Sequence, residues 1–233
     1  MRQRFPLLSR LLQSCLLQSR LLQSRMPRLL AALCLLLPLA ALAATPAAPV
    51  EGVDYVEIEG GTPYQKAQPG QVEVAEVFAY WCHHCADFAP KLEAWQAKLP
   101  KDVRLAYVPL PFDEGDALAR AYFAAERLGV LGTTHAATFR AIHADSVLPK
   151  NATADEIAAF YAGLGIDDAK FKAAMQGFQV GSQLTNARQF AIRSGVPGTP
   201  TLVIDGRYRV IGRTLDDSLR IADQLIARSR AAR

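Results

Sequence analysis

The stretch VEVAEVFAYWCHHC, residues 72–85, decides the fold of this 233-residue chain. Its apolar first part predicts a strand, and Cys82 and Cys85 follow where a helix is predicted to begin. One helical turn brings residues i and i+3 to about 5 to 6 Å of each other, which lies inside the Cα separation that a disulfide needs. Two thiols at a strand-to-helix junction predict a redox-active pair.

Three other uses of Cys82 and Cys85 are open. A zinc site would need further ligands, and the histidines outside the motif, His135 and His143, lie in a predicted amphipathic helix. A structural disulfide closing so small a ring would add little restraint to the unfolded chain. A haem attachment site would need histidine directly after Cys85, where Ala86 stands. The strand before the motif and the helix after it favour the redox interpretation.

The first 43 residues are predicted to be a leader. From Met26 the chain has a basic start, an apolar run and small residues at its end near residue 43, the pattern of a secretory signal peptide. The run is too short for a membrane anchor and is interrupted by Pro38. Residues 1–25 are either an extended basic segment or, as we favour, lie upstream of the true start at Met26. We therefore expect an exported protein.

The charge balance changes once the leader is removed. Six of the 26 lysine and arginine residues lie in the leader, so 20 basic residues stand against 22 acidic ones in the rest of the chain. Such a balance gives no reason to expect a nucleic-acid partner. Cys15 and Cys34 fall in the leader, which leaves Cys82 and Cys85 as the only pair. An exported chain with one such pair is typical of redox catalysis in an oxidising compartment.

The chain after the leader begins with a predicted β-α-β unit. Strands are predicted at 53–58, 72–80 and 103–110, and a helix at 87–99. Because the helix connects the last two strands, these are predicted to run parallel as a central pair.

A helical stretch and a second α/β part follow. Residues 113–179 have apolar residues at helical spacing, and Thr153 with Glu156 predicts a capping box. The later elements are a strand at 201–204, a hairpin turn at Asp205-Gly206, a strand at 208–211 and a helix at 215–226. The sequence therefore predicts an α/β domain built from residues 50–112 and 180–230, with residues 113–179 inserted as an all-helical domain.

These features together resemble the thioredoxin fold and, more closely, the DsbA-type periplasmic thiol:disulfide oxidoreductases. The resemblance rests on the Cys-x-His-Cys motif after a strand, the length of the helical insertion, and Gly198-Thr199-Pro200-Thr201 followed by Asp205-Gly206-Arg207-Tyr208. It covers the whole chain after the leader. It implies a periplasmic protein with a central mixed sheet and an inserted all-helical domain. His83 departs from the family, which usually has proline there.

The resemblance also implies roles outside the cysteine pair. Glu76, six residues before the first cysteine, matches an acid that the family buries beneath the active site, where it would accept the proton of the second cysteine. The other interpretation of Glu76 is an outward-facing acid on an edge strand. The basic partner expected on the next strand has no counterpart, since Tyr107 or its neighbours occupy that position. Pro200 matches a cis-proline that faces the disulfide and would turn the Thr199 backbone toward an extended substrate segment.

Cys82 is the expected nucleophile, because a helix N-terminus favours the thiolate. Cys85 is the expected resolving thiol. His84 and also His83 can add hydrogen-bond donors or positive charge near the Cys82 sulfur, or they are exposed residues without a special role. A stabilised thiolate is a good leaving group, so the chain is expected to donate its disulfide.

The expected substrates are reduced exported proteins, and a quinone-linked membrane oxidase is the expected re-oxidant. The chain is expected to act as a monomer without a cofactor or a metal. The nearest rival is a disulfide reductase or isomerase of the same fold, although such isomerases generally carry an N-terminal dimerisation domain that has no counterpart before the first strand. A rival of another class is a metal- or haem-delivery module that uses Cys82, Cys85 and the histidines.

Overall fold

Five strands and seven helices make up the part of the chain that the computed structural model describes, residues 47–66 and 68–233. The strands are β1 (Tyr55–Glu57), β2 (Val72–Phe78), β3 (Val103–Pro109), β4 (Thr201–Ile204) and β5 (Tyr208–Val210). The helices are α1 (His83–Gln96), α2 (Ala117–Arg127), α3 (Leu131–His143), α4 (Ala154–Gly163), α5 (Asp168–Gln176), α6 (Phe178–Arg193) and α7 (Leu215–Ala231). The predicted leader and signal peptide lie outside the described residues. Of the described helices, none has the length and apolarity to cross a membrane.

The strands form one mixed sheet in the order β1-β5-β4-β2-β3. β2 and β3 run parallel, as the β-α-β pattern predicts, whereas the other neighbouring pairs are antiparallel. β2 is an interior strand, but β3 lies at the edge of the sheet. The prediction of a central parallel pair is therefore right in direction and wrong in the position of β3. The predicted α/β fold with a mixed sheet is confirmed.

Both faces of the sheet are covered, which is why all seven residues of β2 are buried. Side chains alternate between the two faces along a strand. Val72 and Val74 pack with α1 and α7 in one apolar cluster, while Ala75 and Val77 pack with helices of the span 117–193 in the other. β2 therefore lies between two layers of helices, and the cysteine motif follows directly after it in the chain.

Helix α1 begins four residues earlier than the sequence predicts. The prediction was a helix at 87–99, and the structure has it at His83–Gln96 with Cys82 as the N-cap residue. No side chain caps this end, so the turn that leaves β2 sets the start of the helix rather than a local capping signal. The helix also continues through Pro90. Because the helix begins at His83, Cys85 lies in its first turn, three residues after the N-cap cysteine.

The predicted helical region contains α2 to α5, and the long helix α6 follows it. No element was predicted for residues 180–200, so α6 was missed. Thr153 and Glu156 form the predicted capping box at the start of α4. The hairpin turn is also confirmed, because Asp205 and Gly206 both have positive φ, 55° and 67°.

Candidate active site

The two cysteines lie where β2 gives way to α1. A tight turn joins these elements, and in it the Cys82 N–H donates to the Ala79 carbonyl at 3.1 Å. Cys82 has extended backbone angles (φ −82°, ψ 118°), and its own carbonyl accepts the Ala86 N–H at 3.2 Å. Cys82 keeps 8% of its surface exposed, whereas Cys85 is fully buried. An incoming sulfur therefore reaches Cys82 more readily than Cys85.

The surroundings of Cys82 lower the pKa of its thiol to about 5. The largest cause is a hydrogen bond from the Cys85 thiol. Burial opposes this effect, and the Thr199 side chain and the backbone N–H groups of Cys85 and His84 reinforce it. These N–H groups are donors that a helix start leaves without intrahelical partners. Cys82 is therefore a thiolate at neutral pH.

Cys85 has the opposite character. Its hydrogen bond to Cys82, followed by burial, raises the pKa of the Cys85 thiol well above its ordinary value. The charge of the nearby Glu76 carboxylate acts in the same direction. A buried neutral thiol beside a more accessible thiolate is the arrangement that a resolving thiol and a nucleophile require.

Glu76 is buried in the interior of the sheet, with 3% of its surface exposed. Leu202 of β4 lies opposite it on one side and Tyr107 of β3 on the other. Burial, with a smaller contribution from Cys82, raises the pKa of the Glu76 carboxyl to about 8. The interpretation of Glu76 as an outward-facing acid on an edge strand is wrong, because β2 is an interior strand. Tyr107 holds the register position next to Glu76, so no base stands there.

The loop before β4 lies against Cys82. The Thr199–Pro200 peptide bond is cis, as the resemblance implies. The Cys82 sulfur lies 3.3 Å from the Thr199 carbonyl oxygen, across 117 positions of sequence, and in its protonated form it donates a hydrogen bond to that oxygen. The Thr201 hydroxyl donates to the Gly198 carbonyl at 2.8 Å and closes the loop. The fold therefore brings Thr199 and its neighbour Pro200 to the cysteine pair.

His83 and His84 occupy the first two positions of α1, and both are exposed. The centroids of their rings are 3.8 Å apart. His84 acts on Cys82 through its backbone N–H. Both imidazoles are therefore at the surface of the first turn of α1, directly after Cys82 in the chain.

Two histidines of α3 contact Tyr80, in the turn between β2 and the motif, a feature that sequence reasoning missed. The Tyr80 hydroxyl is hydrogen-bonded to His135 Nδ1 at 2.9 Å, and the Tyr80 carbonyl accepts a hydrogen bond from His143 Nε2 at 2.7 Å. Burial lowers the pKa of His135 to about 4, so its ring is neutral. The only signal in the sequence is that both histidines fall in one predicted helix. Contacts across 55 and 63 positions become visible only in the fold.

The histidines do not join the cysteines in a metal site. Within the residues described, no group of three or more His, Cys, Asp and Glu side chains is placed to hold a metal ion. His135 and His143 are directed to Tyr80 instead. The zinc interpretation of the cysteine pair therefore lacks the further ligands that a tetrahedral site needs.

Comparison with known protein sequences gives a consistent match. Residues 73–222 match the family described as the DSBA-like thioredoxin domain. The thiol:disulfide interchange protein DsbA of Azotobacter vinelandii is 40% identical over 185 residues, which cover 78% of this chain and 85% of that protein. The protein of the same name from Pseudomonas aeruginosa is 37% identical over 185 residues, with 78% and 86% covered.

Solved structures give the same result. The crystal structure of oxidoreductase DsbA from Xylella fastidiosa matches with a TM-score of 0.76 and 46% identity, covering 79% of this chain and 99% of that one. The crystal structure of Pseudomonas aeruginosa DsbA matches with a TM-score of 0.71 and 36% identity, covering 78% and 94%. The match thus extends over nearly the full length of both structures.

Proposed function

Because the chain belongs to the DsbA family of thiol:disulfide oxidoreductases, we propose that it is an oxidase that donates its Cys82–Cys85 disulfide to reduced exported proteins. The observation that carries this direction of transfer is the contrast between the two thiols, since the pKa of Cys82 is lowered to about 5 while that of Cys85 is raised. A stabilised Cys82 thiolate favours the dithiol form and makes the disulfide a strong oxidant.

The first step is the attack of a substrate thiolate on Cys82 Sγ. The Cys82–Cys85 bond breaks, a mixed disulfide forms, and Cys85 leaves as a thiolate. Burial raises the pKa of the Glu76 carboxyl, so Glu76 in its protonated form can give its proton to the Cys85 sulfur. A second substrate thiolate then attacks the substrate sulfur of the mixed disulfide, and Cys82 leaves as a thiolate. The substrate loses two electrons, which the cysteine pair takes up.

The surface around Cys82 suits an extended and partly apolar substrate segment. Thr199, which contacts the Cys82 sulfur, is positioned to pair through its backbone with such a segment, with Pro200 beside it. Directly before Cys82 in the chain, the Trp81 ring meets the Phe112 ring edge to face at 6.5 Å, and Phe112 is 82% exposed. Unfolded proteins expose apolar side chains next to their cysteines, so this rim favours unfolded substrates over folded ones.

A complete catalytic cycle also requires export and re-oxidation. Residues 26–43 would direct the chain to the periplasm, where a quinone-linked membrane oxidase would take two electrons from the monomeric dithiol protein. In that half of the cycle the Cys82 thiolate attacks the oxidant, and Glu76 as a carboxylate accepts the proton that Cys85 releases. His83 and His84 are exposed directly after Cys82 and would be available to both kinds of partner.

A Cys85→Ser variant tests the assignment of the two cysteines. Without a resolving thiol, adducts between Cys82 and exported proteins should accumulate in cells and disappear when a reductant is added. The matched control is the double variant Cys82→Ser/Cys85→Ser, which should form none. Adducts that persist in the double variant would show that Cys82 does not carry them.

The direction of transfer is tested with the purified wild-type protein. Mixed in its oxidised form with a reduced, unfolded protein, it should transfer one disulfide per molecule and become fully reduced. If the disulfide stays on Cys82–Cys85, and the reduced protein opens substrate disulfides instead, the reductase alternative replaces the oxidase.

A further inference from the structure

We infer that His143, at the end of helix α3, is a positioning residue of the redox centre: its imidazole holds the Tyr80 carbonyl and so fixes the turn that delivers Cys82 to the start of α1. This inference rests on the proposed role of Cys82 as the nucleophile. It goes beyond that role by assigning a determinant of Cys82 reactivity to a residue 61 positions later in the chain.

The contact acts on the middle of the turn. Ala79 and Cys82 close the turn through the N–H···O bond at 3.1 Å, so Tyr80 and Trp81 are its two central residues. The Tyr80 carbonyl belongs to the peptide that joins them, and the direction of this carbonyl distinguishes the common turn types. A carbonyl can only accept, so His143 donates from Nε2 at 2.7 Å. The neutral Nε2–H tautomer and the protonated ring both supply this donor.

The turn in its present form is what places the Cys82 sulfur. Cys82 is the N-cap residue with extended backbone angles, and no side chain caps this end of α1. Its sulfur lies near the backbone N–H groups of His84 and Cys85, which stabilise the thiolate. A rotated Tyr80–Trp81 peptide would change the direction in which the chain enters the helix and would move the sulfur away from these donors. Tyr80 is 2% exposed, so its carbonyl depends on a donor at the position of the imidazole.

His135 makes a different kind of contact with the same residue. It bonds the Tyr80 hydroxyl and therefore holds the ring, whereas His143 holds the peptide. His143 also lines a groove of about 600 Å³ between α1 and α3, where a changed side chain has free space on one side. A substitution of His143 therefore removes the peptide contact without overpacking the core.

The test uses two substitutions in the full chain after removal of any signal peptide. His143→Phe keeps a ring and removes the donor, and His143→Gln places an amide N–H near the position of Nε2. The Cys82 pKa is measured from the ultraviolet absorbance of the thiolate, and the equilibrium constant with glutathione is measured for each protein. In His143→Phe the pKa should rise by about half a unit or more, and the protein should become about threefold or more less oxidising. His143→Gln should restore most of both values.

Thr153→Ala is the control for a general loss of stability. It removes the side chain that caps α4, where the Thr153 hydroxyl accepts the Glu156 N–H at 3.2 Å, and this cap lies outside the turn at residues 79–82. It should lower the melting temperature and leave the Cys82 titration unchanged. An unchanged titration in His143→Phe, or an equal shift in Thr153→Ala, would overturn the positioning role.

The titration of the wild-type protein separates this inference from the proposed function. If Cys82 of the wild-type protein titrates as an ordinary thiol, the oxidase proposal itself fails. If His143→Phe does not fold, the nitrogen chemical shifts of the wild-type His143 ring decide the question. Hydrogen on Nε2 supports the contact, and a neutral ring with its hydrogen on Nδ1 overturns it.

Discussion

Two sulfurs three positions apart have opposite properties because a helix begins between them. Cys82 precedes the helix and faces backbone donors that have no partners within it, so the pKa of Cys82 falls. Cys85 lies within the first turn, fully buried and close to Glu76, so the pKa of Cys85 rises. The same spacing in an extended segment would give no such difference, so the strand-to-helix junction accounts for the chemistry as much as the cysteines do.

Glu76 should make the stability of the oxidised protein depend on pH. With both cysteines free, burial and, to a smaller extent, Cys82 raise the pKa of Glu76 to about 8. Burial is the larger cause and persists in the disulfide form, so the folded oxidised protein also keeps this proton after the unfolded chain has lost it. Stability from this group is therefore fully present below the ordinary pKa of a glutamate and is lost as the pH rises through the raised pKa. The loss should amount to a few kcal/mol in order of magnitude. In Glu76→Gln this loss should disappear.

The measurement is urea unfolding of the disulfide form at several pH values between about 5 and 8, because in that form the cysteines do not titrate. Glu93→Gln, an exposed position on α1, is the matched control and should keep the wild-type slope. A Glu76→Gln protein that also keeps this slope would show that the Glu76 carboxyl ionises as freely in the folded chain as in the unfolded one.

At the scale of the elements, local sequence patterns were sufficient to predict most of the strands and helices. The capping box at Thr153 and Glu156, the hairpin at Asp205-Gly206 and strand β4 lie where the sequence predicts them. Each of these elements depends on side chains or backbone angles within a few residues. The start of α1 was misplaced because no capping side chain marks it.

Helix α6 was missed although its buried side chains follow helical spacing. They are Val180, Leu184, Ala187, Phe190 and Ala191. Gly181 in the first turn and a polar stretch after it weaken the local signal. Packing of the apolar side of α6 in the core compensates for this weakness, and packing is not readable from a single segment. The contacts of His135 and His143 with Tyr80 were invisible for the same reason.

Gly181 should therefore be replaceable with a gain in stability. It lies inside α6 without a positive φ, and a Cβ added there meets nothing within 4 Å. Gly181→Ala should raise the free energy of unfolding by about 0.5 to 1 kcal/mol, because alanine has the higher helix propensity. The measurement is urea or thermal unfolding of one redox form.

Gly206 provides the contrast. It has a φ of 67°, and an added Cβ would lie 2.0 Å from the Thr62 carbonyl carbon. Gly206→Ala should destabilise the protein through both strain and overlap. If Gly181→Ala also destabilised the protein, the first turn of α6 would not be helical in solution.

At the scale of the whole molecule, the redox centre is assembled from three separate parts of the chain. The end of β2 and the start of α1 supply the cysteines and Glu76, the loop before β4 supplies Thr199, and α3 supplies the contacts to Tyr80. The thiolate therefore depends on the folded state as a whole. Because unfolding returns Cys82 to an ordinary pKa, the redox state and the stability of the fold are thermodynamically linked.

This linkage predicts that the reduced protein is more stable than the oxidised one. The disulfide closes a very small ring and gives little restraint to the unfolded chain, so oxidation contributes little stability. In the reduced protein the pKa of Cys82 is lowered to about 5, so the folded state holds a thiolate where the unfolded chain holds a thiol. A lowered pKa contributes stability that is fully present above the ordinary thiol pKa and is lost as the pH falls through about 5.

The melting temperature of the reduced protein should therefore exceed that of the oxidised protein at neutral pH, and the difference should shrink toward pH 5. Cys82→Ser serves as the control, because the remaining thiol is neutral and this pH dependence should vanish. If the oxidised protein instead melts at the higher temperature at neutral pH, the disulfide stabilises the fold as a structural disulfide does. The proposal that the protein donates its disulfide would then lose its physical basis.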